Sequence, residues 1–194
     1  MAAHRLRAYT VSMNNKKNGA WTIKSSKQIY KNSWIEVIED QVIRPDGLDG
    51  IYGTVTIKPG VSVLPIDDDN NVYLINEFKY PLSKNSIETV AGGIEDGRTA
   101  LQAAQSELEE EWGIIAEEWS DLKVVHPITS FIDSPNHLFV AKKLKFGERK
   151  LEGVEQIDAL KLPLIEAVQM VMDGRITEQK SCCLILKAAR LLNI

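Results

Sequence analysis

Cysteine is almost missing from this chain: two of its 194 residues, Cys182 and Cys183, are neighbours, and adjacent cysteines rarely bridge because the geometry is strained. A disulfide scaffold is thereby excluded, and a reducing compartment, the cytoplasm, is expected. Long apolar runs are lacking too, so neither a membrane span nor a signal-peptide core within Met1–Ala20 is expected. Acidic residues are absent before Glu36, whereas Arg5, Arg7, Lys16, Lys17, Lys24, Lys27 and Lys31 all precede Trp34. The whole chain carries −4, so setting those seven charges aside leaves −11 on the rest. Such an acidic body excludes a protein that coats nucleic acid. Repeats and low-complexity segments are missing as well.

What is present is an ordinary globular composition, 44% hydrophobic and 26% charged, at a length suited to one core with a small appended subdomain. Trp21-Thr22-Ile23 and Trp34-Ile35-Glu36-Val37-Ile38 are β-forming, and Pro45-Asp46-Gly47 is a turn. Alternation sharpens at Val55/Ile57, Val61/Val63 and Val72/Leu74, around turns at Pro59-Gly60 and Asp67 to Asn71. The acidic turn lacks the Gly and distal Glu of a calcium loop and reads as a solvated hairpin. A helix is predicted from Thr99, with Thr99 and Gln102 as a capping box, Leu101, Ala104, Leu108 and Trp112 as its apolar stripe, and Gly113 as its stop. Strands follow near Leu122–Val125 and Leu138–Val140, then helices over about Pro163–Met172 and Glu178–Leu192, the second with Thr177 as N-cap. This order predicts an α+β or layered α/β sandwich. Residues 1–20 are expected as a flexible basic arm with a turn over Met13–Gly19, 21–50 as a small β subdomain, and 51–194 as the main domain.

On the helix from Thr99, Glu107, Glu110 and Glu111 stand at steps of three and four, so their carboxylates lie on one side. Like charges at that spacing cost roughly 0.2–0.5 kcal/mol per pair unless solvent or a cation relieves them. Convergent carboxylates suit a hard divalent ion such as Mg2+, which accepts carboxylate and phosphate oxygens together; a plain solvated face is the bland alternative. The turn Ala91-Gly92-Gly93-Ile94-Glu95-Asp96-Gly97 tips the balance, because paired glycines allow close backbone approach and the loop feeds a helix N-terminus.

Gly92 to Ile114 resembles the box of the Nudix hydrolase family, G-x5-E-x7-R-E-U-x-E-E-x-G-U with U apolar. Gly92, Glu107-Leu108 and Glu110-Glu111-Trp112-Gly113-Ile114 fit it. Arg98 stands where the pattern has its first Glu, and Ser106 where it has Arg. Asn76-Glu77-Phe78-Lys79-Tyr80-Pro81 and Ser86-Ile87-Glu88-Thr89-Val90-Ala91-Gly92-Gly93 are similar to the ADP-ribose and nucleoside-diphosphate-sugar pyrophosphatase branch, over about Trp21 to the C-terminus. The resemblance implies an α/β/α sandwich with a mixed sheet between helices and a small N-terminal antiparallel β subdomain, assembled as a homodimer through that subdomain. It also implies hydrolysis of a small-molecule nucleoside diphosphate derivative, ADP-ribose or another NDP-sugar, with Mg2+ or Mn2+ as cofactor and neither nucleic acid nor membrane as partner.

Residue by residue, the resemblance implies Glu107 and Glu111 as metal ligands with Glu110 assisting and also catalytic, and the Ala91 carbonyl as a further ligand. Lys79 and Glu88 would line the substrate cleft, and Glu155 would be the base or a ligand, with Glu152 second; apart from the resemblance, Trp34 in the N-terminal sheet is a candidate to stack a base. Thr129 and Ser130 occupy places where that branch often has Pro-Gly, which touches specificity. In the family the box arginine helps hold the acidic cluster by pairing; either Arg98 supplies a guanidinium instead, or it is a surface residue and the enzyme is slow. Two rivals remain open: an inactive Nudix-fold module that binds a nucleotide or a protein, and an isomerase of the isopentenyl diphosphate type using a cysteine. For Cys182 and Cys183 the alternative is a pair of small buried hydrophobes.

Overall fold

The computed structural model describes residues 10–149 and 157–194, with residues 10–14 described by backbone alone. The chain divides into two compact units, one running up to Lys58 and taking in Ile128–Ser134, the other made of Pro59–Pro127 and Pro135–Ile194.

The first unit is a five-stranded sheet. Strands β1 (Thr10–Asn18), β2 (Trp21–Lys31), β3 (Ile35–Ile43) and β4 (Asp49–Ile57) follow one another antiparallel, and a two-residue strand from later in the chain, Ile132–Asp133, adds to β4 in parallel. Two expectations are corrected. Thr10–Asn18 is a strand, not a free arm, and the residues read as a turn contain a bulge between Ser12 and Lys16 with Asn15 at φ 30°. The bulge breaks the period of two on which a strand is recognised. The subdomain also extends past residue 50, because β4 runs on to Ile57, and it borrows a strand too short to carry any pattern.

In the second unit, β5 (Gly60–Pro65), β6 (Asn71–Lys79), a one-turn 3-10 helix (Tyr80–Leu82), β7 (Lys84–Glu88), β8 (Val90–Gly93) and α1 (Ala100–Trp112) precede β9 (Ile114–Val125). After β10, the strand Ile132–Asp133, come β11 (Asn136–Phe146), β12 (Ile157–Pro163), α2 (Leu164–Met172) and α3 (Gln179–Leu192). A mixed sheet is ordered β8-β5-β11-β9, with β5 and β11 parallel, and an antiparallel sheet is ordered β12-β6-β7.

Period-two alternation sorts the side chains into two cores. Val61, Val63, Tyr73, Ile75, Phe139 and Ala141 pack with α1, while Leu64, Val72, Leu74, Leu138 and Val140 pack with α2 and α3. Helices therefore cover both faces of the strands, as the layered α/β/α expectation has it. Fully burying each Leu, Ile or Val contributes roughly 1.5–3 kcal/mol, so these two clusters outweigh any surface ion pair. Helix α1 buries Ala103, Ala104, Leu108 and Glu111, a stripe turned from the predicted one, since Leu101 is exposed and Trp112 only half-buried. Among the described residues no helix is long and apolar enough to cross a membrane.

Helix ends follow their local chemistry. The Gln102 N–H donates to Thr99 Oγ1 at 3.2 Å, and the Thr99 N–H donates to Gln102 Oε1 at 2.9 Å, which is the expected capping box. Gly113 ends α1 at φ +66°, its N–H donating to the Glu109 carbonyl at 2.8 Å. A Cβ there would lie 2.6 Å from the Gly147 carbonyl oxygen. For α3 the expected cap is corrected: Glu178, not Thr177, is the N-cap, with its carboxylate accepting from the Ser181 N–H at 2.8 Å.

The β5–β6 turn is held by Asp67, whose carboxylate accepts from the Asn71 N–H at 2.8 Å and the Tyr73 hydroxyl at 2.9 Å and faces Lys161 Nζ at 2.9 Å. Desolvation pushes its pKa up, but these donors outweigh it and hold the carboxyl well below the usual range. A lowered pKa gives stability that is present above the unfolded value, about 3.9, and lost as pH falls through the folded value. Asp67→Asn is accordingly expected to lower the melting temperature by roughly 2–6 °C at pH 7 and by less below about pH 4, read from thermal melts across that range. Gly113→Ala forces a Cβ into both the left-handed conformation and the Gly147 carbonyl, and should lower the melting temperature by roughly 4 °C or more.

Candidate active site

The core of the site is the approach of α1 to β8. Strand β8 lies antiparallel on β5, with Gly92 opposite Val61 and Gly93 opposite Gly60. The Ile94 N–H donates to the Pro59 carbonyl at 2.8 Å, and the Arg98 N–H closes the following turn on the Glu95 carbonyl at 3.0 Å. Helix α1 then returns over the strand so closely that a Cβ on Gly92 would fall inside the Glu107 carboxyl group. Gly92 is thus required for space rather than for a positive φ. A carboxylate is packed against bare backbone one residue beyond Ala91.

One helical turn on from Glu107, Glu111 is buried, and Glu110 is half-buried about 60° round the helix from Glu107. Arg149 anchors this end of α1: its Nε–H donates to the Glu111 carbonyl, its Nη2 donates to the Ile157 carbonyl at 3.2 Å, and its guanidinium lies 5.7 Å from the Trp112 ring centroid. A cation there satisfies a helix-terminal carbonyl and the negative end of the helix dipole.

Among the described residues, no three His, Cys, Asp or Glu side chains converge into a closed metal cage. The arrangement nonetheless fits a hard divalent cation. Glu107 and Glu111 lie on one flank, oxygen is the only donor type, and Gly92 leaves the helix room to bring a carboxylate down onto the strand. Mg2+ is held by one or two carboxylates with waters and substrate phosphates completing its shell, so a full protein cage is not what its chemistry requires.

Lys79 and Glu88, both expected at a substrate cleft, form an ion pair with Nζ 3.5 Å from the Glu88 carboxylate, and Lys79 also donates a hydrogen bond to Glu77. Burial pulls the Lys79 ammonium toward its neutral form, but the hydrogen bond to Glu77 and the charge of Glu88 prevail, and its pKa is raised. Lys79 therefore stays charged and neutralises one of two acids, Glu88 being nearly fully buried.

Arg98 and Ser106, the two departures from the box, touch each other: Arg98 Nη1 donates to Ser106 Oγ at 3.1 Å. The two departures are thus in contact, with a guanidinium just before the helix and a neutral acceptor on it. Gln102, Gln105 and Glu109 line the open hollow around them.

Other candidates lie elsewhere. Trp34 is 71% exposed at the tip of the β2–β3 hairpin, where Asn32 Oδ1 accepts from its N–H at 2.8 Å. Glu152 and Glu155 lie outside the described residues. The Cys182 thiol is pushed up by burial and by the charge of Glu178, which opposes the thiolate a nucleophile needs. Sequence reasoning missed a cavity of about 370 Å³ within the first unit, lined among others by Trp21, Asp40, Tyr52, Thr129 and Ser130. The Trp21 and Tyr52 rings meet edge to face with centroids 5.2 Å apart, and the Tyr52 hydroxyl donates to the Ser130 carbonyl. Only a register linking β2 to β4 could have signalled that pairing.

Comparison with known proteins accords with this geometry. Residues 56–172 match the NUDIX domain model, and residues 21–55 match the nucleoside diphosphate sugar hydrolase N-terminal domain model. The chain is 32% identical over 162 residues to the methanol dehydrogenase activator of Bacillus methanolicus, covering 82% of this chain and 87% of that one. It is 26% identical over 159 residues to the ADP-ribose pyrophosphatase of Bacillus subtilis (strain 168), covering 81% and 86%. Its fold superposes on the crystal structure of an ADP compounds hydrolase with a TM-score of 0.78 at 20% identity, over 92% of this chain and 97% of the other. A glycine that yields its Cβ space to a helix glutamate and a matching domain model over the same residues lead to one conclusion: this chain belongs to the Nudix hydrolase family.

Proposed function

We propose that this protein hydrolyses the diphosphate linkage of ADP-ribose or another nucleoside diphosphate sugar, giving a nucleoside monophosphate and a sugar phosphate, with Mg2+ as cofactor and Mn2+ as its substitute. The observation that carries the reading is the Glu107 carboxyl set into the space above Gly92, with Glu111 buried one turn away. In this reading Glu107, Glu111 and the Ala91 carbonyl hold the metal, which supplies charge neutralisation at the diphosphate when bound.

Water adds to one phosphorus while its bond to the bridging oxygen breaks, so the water must lose a proton and the bridging oxygen leaves on the other phosphate. Glu110 and Glu155 are assigned to that proton, Glu110 from the helix and Glu155 from the segment before β12. Lys79 holds Glu88 at the cleft wall and limits the repulsion an anionic substrate meets there. The protein works as a homodimer in the cytoplasm in this reading, joined through its N-terminal sheet.

Incubation with Mg2+ and ADP-ribose, ADP-glucose, GDP-mannose, dinucleoside polyphosphates and NADH, followed by product identification, tests the reading. AMP with a sugar phosphate is the expected product pair, and Glu111→Gln should reduce kcat by roughly 100-fold or more. A second reading, a module that acts by binding another protein, is favoured by the relative named as a methanol dehydrogenase activator. Failure to turn over every member of the panel would select it.

The Arg98–Ser106 contact gives a separate test of the altered box. An exposed contact of this kind is worth at most about 1 kcal/mol, so Arg98→Ala should lower kcat by about fivefold. Arg98→Glu combined with Ser106→Arg should restore most of that loss by reversing the pair. An unaltered rate in Arg98→Ala would leave Arg98 as plain surface.

A further inference from the structure

Thr89 is the one residue between β7 and β8, where the chain leaves the antiparallel sheet and enters the mixed one. It belongs to neither ladder and is fully buried, so its N–H needs an acceptor from elsewhere. Ser181, itself 1% exposed in the first turn of α3, supplies it: the Thr89 N–H donates to Ser181 Oγ at 3.0 Å, and the two hydroxyl oxygens are 3.2 Å apart. Ser181 Oγ in turn donates to Glu178 Oε2 at 2.9 Å. The proton count closes. With its single hydrogen on the Glu178 carboxylate, Ser181 Oγ has two lone pairs, one for the Thr89 N–H and one for the Thr89 hydroxyl.

We infer that Ser181 is a positioning residue for the metal-holding segment, locking through Thr89 the path of the chain from Glu88 to Gly92. The inference rests on the proposed role of Ala91 and Glu107. Its physical basis is tolerance. Ala91 is two residues from Thr89, and Gly92 already admits Glu107 only because it has no Cβ, so drift of β8 changes where the carbonyl and the carboxylate stand relative to each other. Asp67, which holds the β5–β6 turn through Asn71 and Tyr73 and has no part in the Glu178–Ser181–Thr89 chain, is the control for lost stability alone.

The test compares the full-length protein with Ser181→Ala, Ser181→Thr and Asp67→Asn. Three properties are measured: Mn2+ affinity by electron paramagnetic resonance of the free ion, amide hydrogen exchange over residues 88–93, and the melting temperature. Ser181→Ala is expected to weaken Mn2+ binding about tenfold and speed exchange in that segment. Ser181→Thr, which keeps the hydroxyl, should restore both. Asp67→Asn should lower the melting temperature while holding Mn2+ affinity within about twofold. Equal Mn2+ affinity and exchange in Ser181→Ala and the unaltered protein would overturn the inference, as would equal weakening in Asp67→Asn. Absence of Mn2+ binding by the unaltered protein would overturn the metal-site reading instead, and the inference with it.

Discussion

The close approach of the Glu107 carboxyl to the backbone at Gly92 is the constraint on which the second unit turns. It sets the separation of α1 from β8, and that separation can be held only if both partners are fixed. The helix is fixed by its capping box at Thr99, by the Arg149 guanidinium on the Glu111 carbonyl, and by Leu108 in the apolar cluster beneath. The strand is fixed by its ladder to β5 and by the buried hydrogen bonds from Thr89 to Ser181. A polar group brought this near to backbone is tolerated because side chains on either side leave it one place to be.

Electrostatics in this unit follow the same economy of position. The cations Lys79, Lys161 and Arg149 each serve more than one partner at once: two acids, an acid and an aromatic ring, or two backbone carbonyls and an aromatic ring. Desolvation alone would push Asp67 toward its neutral form and Lys79 likewise, yet in both cases the partners win, so the charges persist inside the fold. The acidic stretch from Glu88 to Glu118 has only Arg98 as a cation of its own, and Arg98 is turned to Ser106.

Much of this was legible in the sequence where local chemistry decides the outcome. The capping box at Thr99, the glycine stop at Gly113 and the strands around Val61 and Val72 depend on residues a few positions apart, and they stand where the pattern put them. The glutamates of α1 could be placed on one side by helix geometry alone, but not sorted into a buried Glu111 and a half-buried Glu110, because that depends on what packs against the helix. Long-range partners were not legible at all. Nothing local joins Trp21 to Tyr52, Thr89 to Ser181, or Arg98 to Ser106, and β1 was hidden because its bulge erases the alternation that reveals a strand. At the start of α3 the expectation fell one residue short: Glu178, not Thr177, accepts from the Ser181 N–H three residues on, a contact as local as the one expected.

The borrowed strand Ile132–Asp133 bears on how the molecule is made. Four strands of the first unit leave the ribosome early, but the Val55–Thr56 end of the β4 edge stays open until residues 132–133 have been synthesised and can pair with it. At roughly 5–20 residues per second, that edge is exposed for several seconds, long enough for a second nascent chain to pair with it. Completion of the N-terminal sheet is thus tied to translation of the middle of the chain.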